Sequence, residues 1–144
     1  MEVIQISNFS DSLCESIRAL ILQLHPESLQ RGNDEIRVLF GKEGMTLLAV
    51  LDPEQKDRVL GMLTLVEEPL LSDSYGRIED VVVDYEAREM GIGQALVEAA
   101  VARAKELGIR TIALTSNPRR EAANRLYRRC GFKLYLTNVY HLDI

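Results

Sequence analysis

The chain has 144 residues, 47% hydrophobic and 27% charged, the make-up of one ordinary globular domain spanning 1–144. It holds no apolar run near the ~20 residues that cross a bilayer, and Met1-Glu2-Val3 lacks the basic start of a signal peptide, so the expectation is a cytoplasmic protein with no membrane partner. The net charge of −5 hides an asymmetry: residues 1–90 carry 8 Lys/Arg against 18 Asp/Glu, residues 91–144 carry 9 against 4. No broad basic excess marks a nucleic-acid binder, whereas an acidic half joined to a basic half suits a cation on one side and an anion on the other.

Val3–Ile6 reads as a short strand. Leu13, Ile17, Leu20, Ile21 and Leu24 then recur at helical spacing and stop before His25-Pro26. A second short helix holds Ile36, Leu39 and Phe40 and closes at Gly41. Met45–Leu51 and Val59–Val66 form a hairpin across Asp52-Pro53-Glu54; Pro69–Tyr75 reads as a loop and Ile78–Asp84 as a third long strand. Gly91–Gly108 is the clearest helix, Thr111–Leu114 a buried strand, and Pro118 opens a helix to about Arg129. Phe132–Leu142 supplies one or two closing strands. The order describes an α/β mixed sheet with helices on both faces. Cys14 and Cys130 have no metal-ligand spacing and read as reduced thiols, and His25 and His141 suggest neither a metal nor a triad.

The informative stretch is Val81-Val82-Val83-Asp84-Tyr85-Glu86-Ala87-Arg88-Glu89-Met90-Gly91-Ile92-Gly93-Gln94-Ala95-Leu96. A strand enters a short loop, and two glycines one residue apart open a helix whose first amides lack intrahelical partners. Glycine there lets a phosphate approach the backbone, so the turn reads as a pyrophosphate seat; the alternative is a merely tight strand-to-helix turn. Leu96 occupies the place of a third Rossmann glycine, and Gln94-Ala95 replaces the Lys-Ser/Thr of a nucleoside-triphosphate loop.

Arg88-Glu89-Met90-Gly91-Ile92-Gly93 fits Arg/Gln-x-x-Gly-x-Gly/Ala, and Ala123-Asn124-Arg125-Leu126-Tyr127-Arg128-Arg129-Cys130-Gly131-Phe132 fits Ala-x-x-Leu-Tyr-x-x-x-Gly-Phe. On these motifs and the element order the chain resembles the GNAT superfamily of N-acetyltransferases. The resemblance implies a mostly antiparallel central sheet splayed at its fourth strand, with acetyl-coenzyme A as donor and no metal. It implies transfer to a primary amine of a small molecule or peptide, and closing strands that contribute to a homodimer.

By the same resemblance the main chain of Val81, Val82 and Val83 pairs with pantetheine, and Glu89, Met90, Gly91, Ile92, Gly93 and Gln94 cradle the pyrophosphate behind Arg88. Arg88 otherwise pairs with Glu86 or Asp84. Tyr127 stands where the family places the proton donor to the departing thiolate; the alternative is a packed phenol satisfied locally. The family's pantetheine Asn falls at Arg120, leaving Asn117, Arg120 and Asn124 as candidates for that contact.

Glu79 is the candidate general base, placed by simple alternation on the face of Val81 with Asp80 opposite; it otherwise binds substrate or Arg77. Loops 25–34 and 69–75 are expected to shape the acceptor pocket. The Arg77–Val83 strand also resembles glucosamine-6-phosphate N-acetyltransferases, which makes aminosugar acetylation the alternative. A non-catalytic acyl-coenzyme A sensor, or an interaction module without cofactor, is the reading outside catalysis.

Overall fold

The computed structural model describes residues 1–144. Strand β1 (Ile4–Gln5) is followed by helices α1 (Asp11–Leu24) and α2 (Asn33–Phe40), strands β2 (Met45–Leu51), β3 (Val59–Pro69) and β4 (Ser74–Val83), helix α3 (Ile92–Glu106), strand β5 (Thr111–Ala113) and helix α4 (Glu121–Arg129). The five strands lie in sequence order across one sheet. All neighbours are antiparallel except β4 and β5, which are parallel.

Both faces of the sheet are covered, which is why Leu47-Leu48-Ala49-Val50 is apolar without a break. Leu47 and Ala49 join Leu13, Ile17 and Ile36 of α1 and α2 in one core, while Leu48 and Val50 join Leu96, Val97 and Ala100 of α3 in the other. Ser10 caps α1 by accepting the Leu13 N–H at 3.1 Å. At Gly61 of β3 an added Cβ would stand 2.5 Å from Ile92 Cγ2, so the bare backbone lets the start of α3 lie directly on the sheet.

Three features of β4 position the site. Its pairing with β5 runs only from Tyr75 to Arg77, opposite Thr111 to Ala113, so residues 78–83 have β3 on one side and no strand on the other. That is the splay implied by the resemblance. Second, Met62 opposes Val82 and Thr64 opposes Glu79, so Asp80 and Val81 together face Leu63 across a bulge, with Asp80 at φ 52°. Third, the bulge reverses the alternation: Ile78 enters the α3 core, but Val82 enters the α1–α2 core.

Sequence expectations depart from this fold in three further places. Loop 69–75 is shorter than expected, because Pro69 still pairs with Ser74 and only four residues turn the hairpin. Helix α4 starts at Glu121, not Pro118; Asn117 accepts the Arg119 N–H at 2.9 Å on its side chain and holds a turn before the helix. The closing strands at Phe132–Leu142 do not form. Residues 133–144 are exposed and without regular structure, since a strand needs a ladder partner and β5 offers three residues.

Candidate active site

The mouth of α3 is built by its neighbours. Asp84 accepts the Glu86 N–H at 3.0 Å, and Gln23 on α1 accepts the Tyr85 N–H at 3.1 Å, which fixes the descent from β4. Arg58 at the end of the β2–β3 hairpin reaches Glu86 at 2.9 Å, Asp52 at 3.2 Å and Asp84 at 3.5 Å. Both carboxylates that Arg88 was expected to choose between are therefore engaged by Arg58. Arg88 itself makes no ion pair; it is exposed, with Nε 3.5 Å from the Val83 carbonyl.

Behind Arg88 the main chain has no internal acceptor. The amides of Arg88, Glu89, Met90, Gly91, Ile92, Gly93 and Gln94 donate to no group of the chain, and the first bond of the helix runs from Ala95 N–H to the Gly91 carbonyl at 3.1 Å. Glu89 at φ 65° and Gly91 at φ 79° curl this segment, and an added Cβ on Gly91 would meet nothing within 4 Å. Consecutive unpaired amides at the positive end of a 15-residue helix can hold an anion. The two glycines have different tasks. Gly91 takes a left-handed conformation beside open space, whereas the missing Cβ of Gly93 would stand 3.0 Å from Leu126 Cδ2, so Gly93 admits α4.

Tyr127 is buried on α4 in the α3 core, edge-on to Phe132 with ring centroids 6.2 Å apart. The side-chain hydrogen bonds of this region belong to Asn117 and Asn124, and none involves the Tyr127 hydroxyl. Burial pushes its phenol above the usual tyrosine value of 10.0 against the pull of the Arg120 charge, so the proton is held throughout the neutral range. The Asn124 amide donates to the Asn117 and Arg120 carbonyls, both at 3.0 Å, which ties that side chain into the pre-helix turn. Arg120 caps α4 without a side-chain bond and is exposed.

Glu79 opposes Thr64 and lies on the α1–α2 side of β4, whereas Val81 packs into the α3 core. Placing the two on one face was therefore incorrect: the bulge at Asp80 separates them. Glu79 lies 3.4 Å from Arg77, whose Nε is 2.7 Å from Glu68. Asp80, assigned by alternation to the far face, lines a cavity of about 220 Å³ with Thr64, α1, α2 and residues 28–31. Of the two loops expected at the acceptor pocket, the one after α1 lines this cavity and residues 69–75 do not. Nothing in the sequence marks Asp80 as a left-handed bulge residue. Cys14 and Cys130 are free, and no cluster of three His, Cys, Asp or Glu stands in a metal-binding arrangement.

Residues 14–132 match the model of the acetyltransferase (GNAT) family. The chain belongs to that family. As a GNAT acetyltransferase its class is that of an acyltransferase enzyme. Solved structures share the fold at low identity. An acetyltransferase of Trypanosoma brucei superposes with a TM-score of 0.83 at 23% identity, over 99% of each chain. Glucosamine-6-phosphate N-acetyltransferase of Arabidopsis thaliana gives 0.80 at 18% identity, over 98% of this chain and 97% of that one. An aminoglycoside acetyltransferase from an uncultured soil metagenomic sample gives 0.80 at 15%, over 99% and 96%. The GNAT family uses acetyl-coenzyme A. No helix is long and apolar enough to cross a membrane.

Proposed function

We propose that the chain is an N-acetyltransferase in which a primary amine of a small molecule or peptide attacks acetyl-coenzyme A directly, without an acyl-enzyme. The observation that carries this is the run of unpaired amides from Arg88 to Gln94 beside an Arg88 free of carboxylates. These groups would hold the pyrophosphate of coenzyme A, with Arg120 and Asn124 near the pantetheine. The donor supplies an acetyl thioester when bound. The partnerless edge of β4 at Val81, Val82 and Val83 offers main-chain groups to the pantetheine arm and an N–H to polarise the carbonyl.

Glu79 and Tyr127 stand on opposite sides of that edge. Glu79 takes the proton of the attacking ammonium, directly or through water, and Tyr127, held protonated by its burial, gives one to the leaving thiolate. The thiols of Cys14 and Cys130 suit the reducing cytoplasm. The tail supports a homodimer: Leu134, Tyr135, Leu136, Val139, Tyr140, Leu142 and Ile144 are each at least 61% exposed, and a second copy would cover them.

The test is thiol release from acetyl-coenzyme A against a panel of amines, amino acids, polyamines, aminosugars and peptides. Amine-dependent release supports the reading. Tight coenzyme A binding with no release from any amine would favour the acyl-coenzyme A sensor.

A further inference from the structure

The cavity beside Asp80 combines an apolar floor with two charges of opposite sign, neither of which makes an ion pair within the chain. Ile17, Ile36, Leu47 and Met62 are buried beneath it. Asp80, at its edge, makes no ion pair and no hydrogen bond, and sits in a backbone conformation that few residues adopt. Arg18 of α1 lines the same cavity. Its guanidinium donates to the Asn33 side chain and to the Arg31 carbonyl at 3.5 Å, and meets no carboxylate. The second cation, Arg31, is 3.6 Å from Glu35. The Ser28 hydroxyl, also in the lining, is sealed from solvent without a partner. The other two large depressions, about 580 and 530 Å³, are lined by no hydrophobic residue.

We infer that this cavity receives a small zwitterion, an α-amino acid with an apolar side chain, with its ammonium at Asp80 and its carboxylate at Arg18. The inference rests on the acetyltransferase reading above. Asp80 adjoins Glu79 on the unpaired edge of β4, so an ammonium at Asp80 lies beside the group that takes its proton. The apolar floor takes the side chain. A sugar would place hydroxyls against it with few partners. At about 220 Å³ the cavity is smaller than the roughly 300–1,000 Å³ of sites for drug-sized ligands, which disfavours an aminoglycoside. The acidic excess of residues 1–90 is not expressed here: the lining holds Arg18 and Arg31 against Asp80 alone, which disfavours a polyamine.

The experiment is calorimetric titration of the protein, with and without saturating coenzyme A, using L-leucine, isoamylamine, spermidine and glucosamine 6-phosphate; thiol release is then measured with the same four. Leucine should bind about tenfold more tightly than isoamylamine, its decarboxylated counterpart, the worth of one partly screened ion pair. Arg18→Gln should erase that difference and Arg18→Lys should keep part of it. Asp80→Asn, which tolerates the left-handed conformation, should weaken both ligands and leave their ratio intact.

Equal binding of leucine and isoamylamine, or tightest binding of spermidine or glucosamine 6-phosphate, overturns the inference. So does an unchanged ratio in a folded Arg18→Gln protein. Coenzyme A binding without any leucine binding sinks the zwitterion site alone. Leucine binding without coenzyme A binding sinks the acetyltransferase reading and leaves the site standing.

Discussion

If the amides behind Arg88 seat a pyrophosphate, then a side chain at position 91 should act on the cofactor in proportion to its charge. Gly91 separates this effect from folding, because an added Cβ meets nothing within 4 Å and the only structural cost is its φ of 79°. Alanine in that conformation costs about 1–2 kcal/mol, a fall of roughly 2–8 °C in melting temperature at this size. Asparagine and aspartate adopt it more readily, so Gly91→Asn and Gly91→Asp should fold alike and differ only in charge.

An aspartate carboxylate about 5 Å from one phosphate charge, at an effective dielectric constant of about 20–30, is repelled by about 2–3 kcal/mol, or roughly 30–150-fold in Kd. Calorimetry with acetyl-coenzyme A should show that gap between the two variants, shrinking as salt is raised. Equal affinities in two well-folded variants would refute the assignment of the α3 mouth as the phosphate seat.

Tyr127→Phe should lower kcat by about 10²–10⁴-fold with little change in the KM for acetyl-coenzyme A; an unchanged kcat removes Tyr127 as proton donor. Glu79→Gln should lower kcat/KM for the amine by about 10²-fold near neutral pH, with recovery as the amine deprotonates unaided; a deficit that is constant with pH would make Glu79 a binding group. Burial raises the Cys14 and Tyr127 values in the folded state, so the stability they confer is intact below pH ~9, the ordinary thiol value, and is lost as pH climbs. Denaturant titrations should therefore show unfolding free energy falling from about pH 9 upward, with Cys14→Ala flattening the first part of that fall. Deleting residues 134–144 should convert the proposed dimer to a monomer by light scattering; a monomeric full-length chain would refute the homodimer read from the exposed apolar tail.

The elements were legible wherever local chemistry decides them. Helical spacing located α1 and α3, Gly41 ended α2, and the apolar runs Met45–Leu51 and Val59–Val66 marked the β2–β3 hairpin. The glycine turn was legible because unpaired amides follow from any helix start, and Gly91 needs a conformation few residues share. What sequence could not show depends on pairing between distant segments. Residues 133–144 have the composition of a strand, yet no ladder forms there, since strand formation waits on a partner. The roles of Gly61 and Gly93 come from Ile92 and Leu126 arriving from other elements. The split between Glu79 and Val81 comes from a one-residue mismatch between β3 and β4, which no pattern within β4 encodes.

That mismatch is what makes the candidate site two-sided. A regular β4 would carry Ile78, Asp80 and Val82 on the α3 side and leave Glu79, Val81 and Val83 facing α1. With the bulge, Arg77 and Glu79 remain toward α1, while Val81 and Val83 seal the core that holds Tyr127. The residue left over, Asp80, is turned to the cavity under α1 and α2. The strand thus offers carboxylates on the side where an amine would arrive and an apolar wall on the side where a thiolate would be protonated. Its unpaired main chain lies between them. A proton taken on one face and another given on the other need no shared side chain, an arrangement that suits the direct transfer proposed above.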